Sequence, residues 1–211
     1  MKIITWNVRG VQGIGAARLA QIGSVLDEEA ADVVLLQEVA ARGDLPARLR
    51  EALAQVGLRH FHYSGDPLAE RKPYGNVIAS RWPLRPAEAG WAGNAPWPQL
   101  LARATVVADE GELDVVSVHA PNGSANGWAK IQTLEALTAA VIEAKQTPLV
   151  AGGDFNEPVR WIAGEGPWSA AAREQSDGSV AYEGDWTRKD SRATTAAKHR
   201  AIWHFMSICV Y

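Results

Sequence analysis

The sequence predicts an α/β fold on two observations. Short apolar runs rich in β-branched residues alternate with longer segments whose apolar residues recur at helical spacing. Within residues 1–40, a strand, a helix and a second strand follow one another as a βαβ-like unit. A chain of 211 residues is long enough for one large domain, with two small domains as the alternative. We therefore expect a single α/β domain over residues 1–211.

The first part of the chain predicts three strands and two helices. Residues 3–8 (IITWNV) and 33–39 (VVLLQEV) are rich in β-branched and apolar residues, as buried strands are. Residues 16–30 and 45–56 repeat apolar residues every three or four positions, which predicts amphipathic helices. Residues 59–63 predict a short strand. The βαβ-like unit brings Asn7 and Glu38 to neighbouring strand ends.

The middle of the chain predicts a hairpin preceded by a long loop. Residues 77–79 form a short apolar strand. Residues 85–98 are rich in proline, glycine and tryptophan, so we expect a loop that forms the rim of a substrate site, with Trp91 and Trp97 as binding residues. Strands at 100–107 and 113–119 are joined by a turn of about four residues. Packing beneath loops is the alternative role for these tryptophans.

The clearest helix, at residues 128–145, leads into the most informative stretch of the chain, residues 148–158 (PLVAGGDFNEP). Residues 149–151 predict a buried strand that stops at two glycines, which leave room for a ligand and permit unusual backbone angles. Asp154 and Asn156 follow directly. A plain Asx turn closing the strand is the alternative interpretation of GDFN.

After residue 158 the pattern weakens. Residues 159–187 show no clear period, residues 189–200 are polar and basic, and residues 202–210 predict a last strand. We find no internal repeat and no linker between domains.

Bulk properties exclude several classes of protein. The net charge of −3 gives no electrostatic footprint for tight binding of a DNA duplex, unless a bound cation supplies positive charge locally. The single cysteine excludes an internal disulfide. No apolar run is long enough to span a membrane, and no signal peptide precedes the first strand. We therefore expect a cytoplasmic protein, unless a leader is removed before Met1.

Polar residues at predicted strand ends suggest a common site. Asn7, Glu38, His119, Asp154 and Asn156 end strands or follow them directly, and Tyr74 and Asn76 precede another strand. Carboxylate and amide oxygens suit Mg²⁺ or Mn²⁺, and a histidine can donate hydrogen bonds to phosphoryl oxygens. This set fits metal-assisted phosphoester hydrolysis. A surface position for Glu38 and a structural role for a lone histidine are the alternatives.

These segments resemble the endonuclease/exonuclease/phosphatase superfamily, which includes DNase I-like nucleases, abasic-site endonucleases, sphingomyelinases and inositol phosphatases. The similar motifs are TWNVRG, LLQEV, YGNVIAS, SVHAPNG and GGDFNEP, in this order from residue 1 to about residue 159. Single motifs such as QEV or GDFN are weak signals, whereas five in order are strong.

The resemblance implies a four-layer α/β sandwich, with two facing, mostly antiparallel sheets and helices outside. It implies a metal at Asn7 and Glu38, and an attacking water held by Asp154 and Asn156. It also implies phosphate contacts from His119 and, on a looser match, Tyr74. Asn76 and Asn122, which lie within matching motifs, are expected to bind substrate.

The C-terminal motifs of the family are incomplete. The family normally ends with an Asp-His motif and a final Ser-Asp-His, whereas this chain has AIWHFMS at 201–207 and no Ser-Asp-His. The expected domain is therefore incomplete or atypical after about residue 188, with a last strand missing. Loss of that histidine is expected to lower activity by several powers of ten. His199 and His204 are the late candidates to replace it.

The sequence thus predicts an Mg²⁺- or Mn²⁺-dependent phosphodiesterase or nuclease acting on a phosphodiester, with nucleic acid as the expected substrate. A non-catalytic phosphoester-binding pseudoenzyme and a lipid or inositol phosphatase are the alternatives. Neither stable membrane association nor an obligate protein partner is expected. Substrate specificity resides in loops, so the sequence leaves the substrate open.

Overall fold

The computed structural model describes residues 1–143, 147–156, 160–162, 166–168 and 172–182. The chain divides into two compact units. The first comprises Met1–Trp91, Trp97–His119 and Ala144–Asp154. The second comprises Ala92–Pro96, Ala120–Glu143 and the part of the chain from Phe155 onward. The assignment of residues 1–211 to a single domain stays a prediction.

The first sheet has four strands in the order β1-β2-β4-β3. Its strands are β1 (Ile3–Gly10), β2 (Val33–Ala40), β3 (His60–Tyr63) and β4 (Tyr74–Ser80). Helix α1 (Ala16–Glu28) connects β1 to the parallel strand β2, and α2 (Leu45–Gln55) follows β2. The βαβ-like unit expected from the sequence is therefore confirmed.

The second sheet also has four strands, in the order β5-β6-β7-β8. Its strands are β5 (Leu84–Pro86), β6 (Leu101–Ala108), β7 (Gly111–His119) and β8 (Leu149–Asp154). Strands β7 and β8 are parallel, and the other two pairs are antiparallel. In each sheet a single parallel pair stands among antiparallel ones.

The side chains of β2 point alternately to its two sides, and those on one side pack against the second sheet. Val34 and Leu36 point to one side, where they join a buried cluster with Leu26 of α1 and Leu49 of α2. Leu35 points to the other side and packs with residues of the second sheet in another buried cluster. That cluster comprises Val33, Leu35, Ile78, Ala102, Ala104, Val106 and Val115. The fold class is therefore confirmed as α/β, with two facing, mostly antiparallel sheets and helices outside the first.

Several predicted boundaries are wrong. The strand predicted at 77–79 spans Tyr74–Ser80, so Tyr74 and Asn76 lie within it. Ala108 pairs with Gly111, so the β6–β7 hairpin has a two-residue turn rather than one of about four residues. The loop predicted at 85–98 begins with a strand, because β5 pairs with β6. Strand β8 continues through both glycines to Asp154, because each residue from Leu149 onward keeps its partner in β7.

The second unit contains helix α3 (Gly123–Glu143), which is interrupted at Asn126 by a non-helical backbone (φ −144°, ψ 46°). The predicted helix at 128–145 is confirmed as far as Glu143. Four short strands follow as two hairpins: β9 (Arg160–Ile162) with β10 (Gly166–Trp168), and β11 (Ala172–Glu174) with β12 (Val180–Tyr182). Strands of three residues are too short to show a period, so the sequence missed them.

The strand predicted at 202–210 and the basic run at 189–200 lie outside the described residues, as do His199 and His204. Within the described part of the chain, no helix combines the length and the apolar character needed to cross a membrane.

Candidate functional site

Polar side chains of the first unit meet where strands of both sheets end. Asn7 lies beside Gln37 across the parallel pair β1–β2, and His119 lies beside Asp154 across the parallel pair β7–β8. Parallel neighbours end at the same edge of a sheet, so these side chains come together. We call the group Asn7, Glu38, Tyr74, His119 and Asp154 the strand-end cluster.

Asn7 joins the two carboxylates of the cluster. Its Nδ2 donates to Glu38 Oε1 at 3.1 Å and to Asp154 Oδ2 at 2.9 Å. Its Oδ1 accepts a hydrogen bond from the backbone N–H of Arg9 at 2.9 Å, which fixes the amide. One amide group therefore holds two negative charges, from two different sheets, within hydrogen-bond distance of the same nitrogen.

A β-bulge aims Glu38 into the cluster. The pairing of β1 with β2 shifts between Asn7 and Gly10, and Arg9 (φ 51°) and Glu38 (φ 61°) have left-handed backbones. Regular alternation would direct Glu38 to the helix side of the sheet, as it does Leu36. The bulge instead turns it toward Asn7 and His119. Non-glycine residues adopt this conformation rarely, and mostly where the surrounding structure enforces it.

His119 is 6% exposed, and its Nε2 lies 3.7 Å from Glu38 Oε1. Burial lowers the pKa of the imidazole below its ordinary value, the charges of Asp154 and Glu38 raise it in part, and Lys72 lowers it. The ring is therefore largely neutral near pH 7. Its Nδ1 is buried and has no hydrogen-bond partner among the described residues. A buried polar atom of this kind is uncommon and is typical of functional sites.

Tyr74 packs against His119, with ring centroids 5.8 Å apart and planes inclined at 35°. Burial raises the pKa of the Tyr74 phenol, and the charge of Glu38 raises it further. The hydroxyl therefore stays protonated through the physiological range, and it remains a hydrogen-bond donor beside the histidine.

Asn76 is fully buried, and its side chain joins the two sheets. Its Nδ2 donates to Leu100 O at 2.6 Å and to Ser117 O at 2.9 Å. At 0% exposure the side chain lies between the sheets, where its Oδ1 has no hydrogen-bond partner among the described residues. The substrate-binding role expected for Asn76 therefore stays a prediction.

The remaining predicted asparagines lie in the second unit. Asn156 has a left-handed backbone (φ 53°), and its Nδ2 donates to Ala120 O at 2.8 Å. Its own carbonyl accepts a hydrogen bond from Lys130 Nζ at 3.0 Å. Asn122 Oδ1 accepts from Ser124 N and Ser124 Oγ at 2.9 and 2.8 Å. Asn122 therefore shapes the start of α3.

The two loop tryptophans occupy different environments. Trp97 lies under two cations, with Arg71 Cζ 5.8 Å and Lys72 Nζ 5.4 Å from its ring centre. Trp91 lies under Arg103, which pairs with Asp114 at 2.6 Å. Alternation along β6 and β7 places Arg103 and Asp114 on the opposite face of the sheet from His119. The structure therefore does not bring Trp91 together with the strand-end cluster.

The paired glycines of β8 serve contact between strands, and the expectation that they leave room for a ligand is not met. A Cβ at Gly152 would lie 3.0 Å from Leu35 Cδ1 of the facing sheet. A Cβ at Gly153 would overlap the backbone carbonyl of Val118 in the neighbouring strand. These glycines allow β8 to approach both neighbours, and Asp154 reaches the cluster as a result.

Sequence reasoning missed Gln37, a buried polar residue beneath the cluster. It is 1% exposed, and its Nε2 lies within hydrogen-bond distance of Thr5 Oγ1, Leu35 O and Ser117 Oγ at 3.2, 2.8 and 3.1 Å. The amide thus bridges the two sheets one residue before Glu38. A glutamine inside an otherwise apolar strand was the available signal.

The donor set of the cluster suits a hard divalent cation. Two carboxylates converge on one amide, and Mg²⁺ prefers a few oxygen ligands and keeps several waters. In the described ranges no group of three or more His, Cys, Asp or Glu side chains is arranged to hold a metal ion. Asn7 turns its nitrogen, not its oxygen, toward the carboxylates, so it would become a ligand only if the amide turned over.

Comparison with known proteins gives a consistent result. The sequence profile of the endonuclease/exonuclease/phosphatase family matches residues 4–204. No curated protein matches the chain. The chain is 26% identical to an endonuclease/exonuclease/phosphatase from Beutenbergia cavernae, with a TM-score of 0.51. The match covers 76% of this chain and 48% of the Beutenbergia protein.

Two further solved structures share the fold. An AP endonuclease from Archaeoglobus fulgidus is 22% identical with a TM-score of 0.56, over 74% of this chain and 58% of that one. A family protein from Leptotrichia buccalis is 16% identical with a TM-score of 0.52, over 75% and 67%. The chain thus spans about half the length of the Beutenbergia protein and less than two thirds of the Archaeoglobus one. The family profile matches residues 4–204, which is most of the chain and includes residues beyond the motifs that end near residue 159. The chain therefore belongs to the endonuclease/exonuclease/phosphatase family.

Proposed function

We propose that this protein is a metal-dependent phosphodiesterase that hydrolyses nucleic acid with an activated water. The observation that carries the proposal is the convergence of Glu38 and Asp154 on Asn7, beside the buried His119. The family consists mostly of hydrolases acting on phosphoester bonds, and its members generally use divalent metal ions. The choice of Mg²⁺ or Mn²⁺ and the residue roles below belong to the proposal.

Each residue of the cluster has a chemical role in this proposal. Glu38 would hold the cation, and Asn7 would add its oxygen if the amide turned over. When bound, the cation offsets the negative charge that develops on the phosphate. Asp154 accepts a proton from the attacking water, which Asn156 orients. Asp154 is the last residue of β8, and Asn156 follows two positions later in the sequence.

His119 and Tyr74 act on the phosphate. The largely neutral imidazole and the protonated phenol can each donate a hydrogen bond to a phosphoryl oxygen. Donors that are already in place when negative charge develops stabilise the transition state without reorganisation. Burial of His119 and Tyr74 keeps water from competing for these donors.

Nucleic acid is the proposed substrate. The Archaeoglobus protein of the same fold is an AP endonuclease, and the two cations at Trp97 supply local positive charge on a chain whose net charge is −3. Trp91 is not included among the proposed contacts, because it lies on the other face of the second sheet. A lipid or inositol phosphatase would use the same chemistry with different loops around the site.

Hydrolysis assays test the proposal. A fluorescent DNA duplex and a bis-aryl phosphodiester are incubated with Mg²⁺, with EDTA, and with the Asp154→Ala variant. We expect turnover with Mg²⁺, none with EDTA, and a loss of about three powers of ten or more in the variant. Asp27→Ala removes an exposed carboxylate from α1 and is the matched control, with turnover like that of the wild type.

Circular dichroism of each variant establishes that it is folded. Turnover that persists in EDTA, or in folded Asp154→Ala, would contradict the proposed roles. A folded wild-type protein without turnover on either substrate would instead identify a binding-only member of the family.

A further inference from the structure

Two cations stand side by side at the start of β4, outside the strand-end cluster. Arg71 is exposed and Lys72 is half-buried, and both approach the indole of Trp97. Lys72 Nζ also lies 6.0 Å from the ring centre of Tyr74. We call Arg71, Lys72 and Trp97 the basic rim.

The backbone of the basic rim is held in place. Lys72 has a left-handed backbone (φ 57°), and its carbonyl accepts a hydrogen bond from Tyr74 N at 2.7 Å. Gln99 Nε2 lies within hydrogen-bond distance of Arg71 O at 3.2 Å and Lys72 O at 3.3 Å. A lysine is strained in this conformation, and such strain persists where other contacts enforce it, often at binding sites. The cations are therefore presented by a fixed turn.

Neither cation is neutralised within the described part of the chain. The ion pairs there join other residues, and none includes Arg71 or Lys72. Two like charges over one aromatic ring repel each other, and an anion between or beside them would relieve that repulsion. Cation–π contacts with the Trp97 ring hold both cations in position. The rim is thus arranged to receive an anion.

A chain of ring contacts connects the basic rim to the strand-end cluster. Lys72 lies over Tyr74, and Tyr74 lies 5.8 Å from His119. The basic rim and the strand-end cluster are therefore neighbours, with Tyr74 between Lys72 and His119.

We propose that Arg71 and Lys72 bind a second phosphate of a nucleic-acid strand, next to the phosphate that reaches His119 and Tyr74. This inference rests on the proposed function and specifies its substrate class. A strand carries phosphates in regular succession, so one strand can occupy both positions at once. A substrate with a single phosphate can occupy only one. Trp97 then serves as the platform for the two cations, and its ring face is not free for a base.

Binding without catalysis provides the test. Fluorescence anisotropy measures the affinity of the wild type and of Arg71→Gln/Lys72→Gln for fluorescein-labelled oligothymidylate in EDTA, over a series of salt concentrations. For single strands, the slope of log affinity against log salt changes by about 0.7 for each phosphate contact. We expect the double variant to lose about 0.7 of that slope, because the two cations neutralise one phosphate between them. The control Arg50→Gln/Arg59→Gln removes two exposed cations elsewhere and should keep the wild-type slope.

Each result decides the matter. A wild type that does not bind the oligonucleotide, or a folded double variant that keeps its slope, overturns the second-phosphate site. The same variants are tested on vesicles of phosphatidylcholine with phosphatidylserine. A loss of vesicle binding without a change in the oligonucleotide slope would assign the rim to a lipid surface and overturn the proposal.

The hydrolysis assays separate this failure from that of the proposed function. Hydrolysis by the wild type together with an unchanged slope removes only the second site. A reduced slope without any hydrolysis supports the site and contradicts the catalytic proposal.

Discussion

Asn7 shows how one side chain can bring together groups that repel each other. Its nitrogen lies 3.1 Å from one carboxylate oxygen and 2.9 Å from another. Each charge-assisted hydrogen bond is worth about 1.5–3 kcal/mol, which offsets part of the repulsion between the carboxylates. The left-handed backbones of Arg9 and Glu38 add strain of about 1–3 kcal/mol each. Strain at residues that touch the cluster indicates that its geometry is maintained at the expense of stability.

Two tyrosines, the buried Tyr74 and the half-buried Tyr63, distinguish a role in catalysis from a role in packing. Tyr74→Phe should lower kcat by about 10- to 1000-fold, because one donor to the phosphate is lost. Tyr63→Phe should instead lower stability by about 1 kcal/mol, because it removes the hydrogen bond that the Tyr63 hydroxyl donates to Val39 O at 2.9 Å. Steady-state kinetics and urea unfolding of both variants provide the measurements.

The two tyrosines serve as each other's control, since both lose only a hydroxyl. Burial raises the pKa of the Tyr63 hydroxyl to about 12, so it stays protonated just as that of Tyr74 does. Equal kcat values for Tyr74→Phe and the wild type would remove Tyr74 from the proposed mechanism.

At the scale of elements, β8 is the strand on which the position of Asp154 depends. It runs parallel to β7 as far as the pair His119 and Asp154. Its two glycines face different neighbours, a flexible leucine side chain for Gly152 and a rigid backbone carbonyl for Gly153. The neighbour's ability to move decides the cost of adding a methyl group.

The two glycines should therefore respond differently to alanine. Gly152→Ala should lower the free energy of unfolding by about 1–3 kcal/mol, because Leu35 can move aside. Gly153→Ala should cost more than that or prevent folding, because the Val118 carbonyl belongs to the β7–β8 pair. Urea unfolding followed by tryptophan fluorescence measures both. The interpretation of β8 would be wrong if the two variants were equally stable.

In the second unit, helix α3 carries a buried lysine that supports the backbone at Asn156. Lys130 is fully buried, and its ammonium donates to the carbonyl of Asn156. A buried charge is tolerated when it is hydrogen-bonded, and here it fixes a residue with a left-handed backbone. The helix thereby holds the turn that follows Asp154.

At the scale of the molecule, the sequence predicted the elements and the ends at which polar residues gather. Residues 3–8 and 33–39 were recognisable because buried strands are rich in β-branched residues, and parallel pairing then brings Asn7 and Glu38 together. The bulge at Glu38 was not predicted, because the glycine at the shift in pairing, Gly10, is equally typical of a strand end. The burial of Asn76 depends on contacts with Leu100 and Ser117, which are distant in sequence.

The pairing of distant residues also explains the other differences. Trp91 and Trp97 look alike in sequence, and only the fold places one beside Arg103 and the other beside Lys72. Lys72 was not selected because a lysine in a charged loop is usually a solvated residue. Its significance appears only when the first sheet brings Tyr74 next to His119.

The repulsion between Glu38 and Asp154 leads to a prediction for the whole molecule. A cation that binds the folded cluster and not the unfolded chain stabilises the fold, by about 2.7 kcal/mol at 100 times its Kd. For a chain of this size that corresponds to a rise in Tm of several degrees. We expect this rise when Mg²⁺ replaces EDTA, and a much smaller one in Glu38→Gln.

Differential scanning calorimetry at matched ionic strength, with KCl in place of Mg²⁺ as reference, separates binding from screening. Glu51→Gln, which removes an exposed carboxylate from α2, should respond like the wild type. An equal rise in Glu38→Gln would place the cation elsewhere, and no rise in the wild type would contradict a metal site in this cluster.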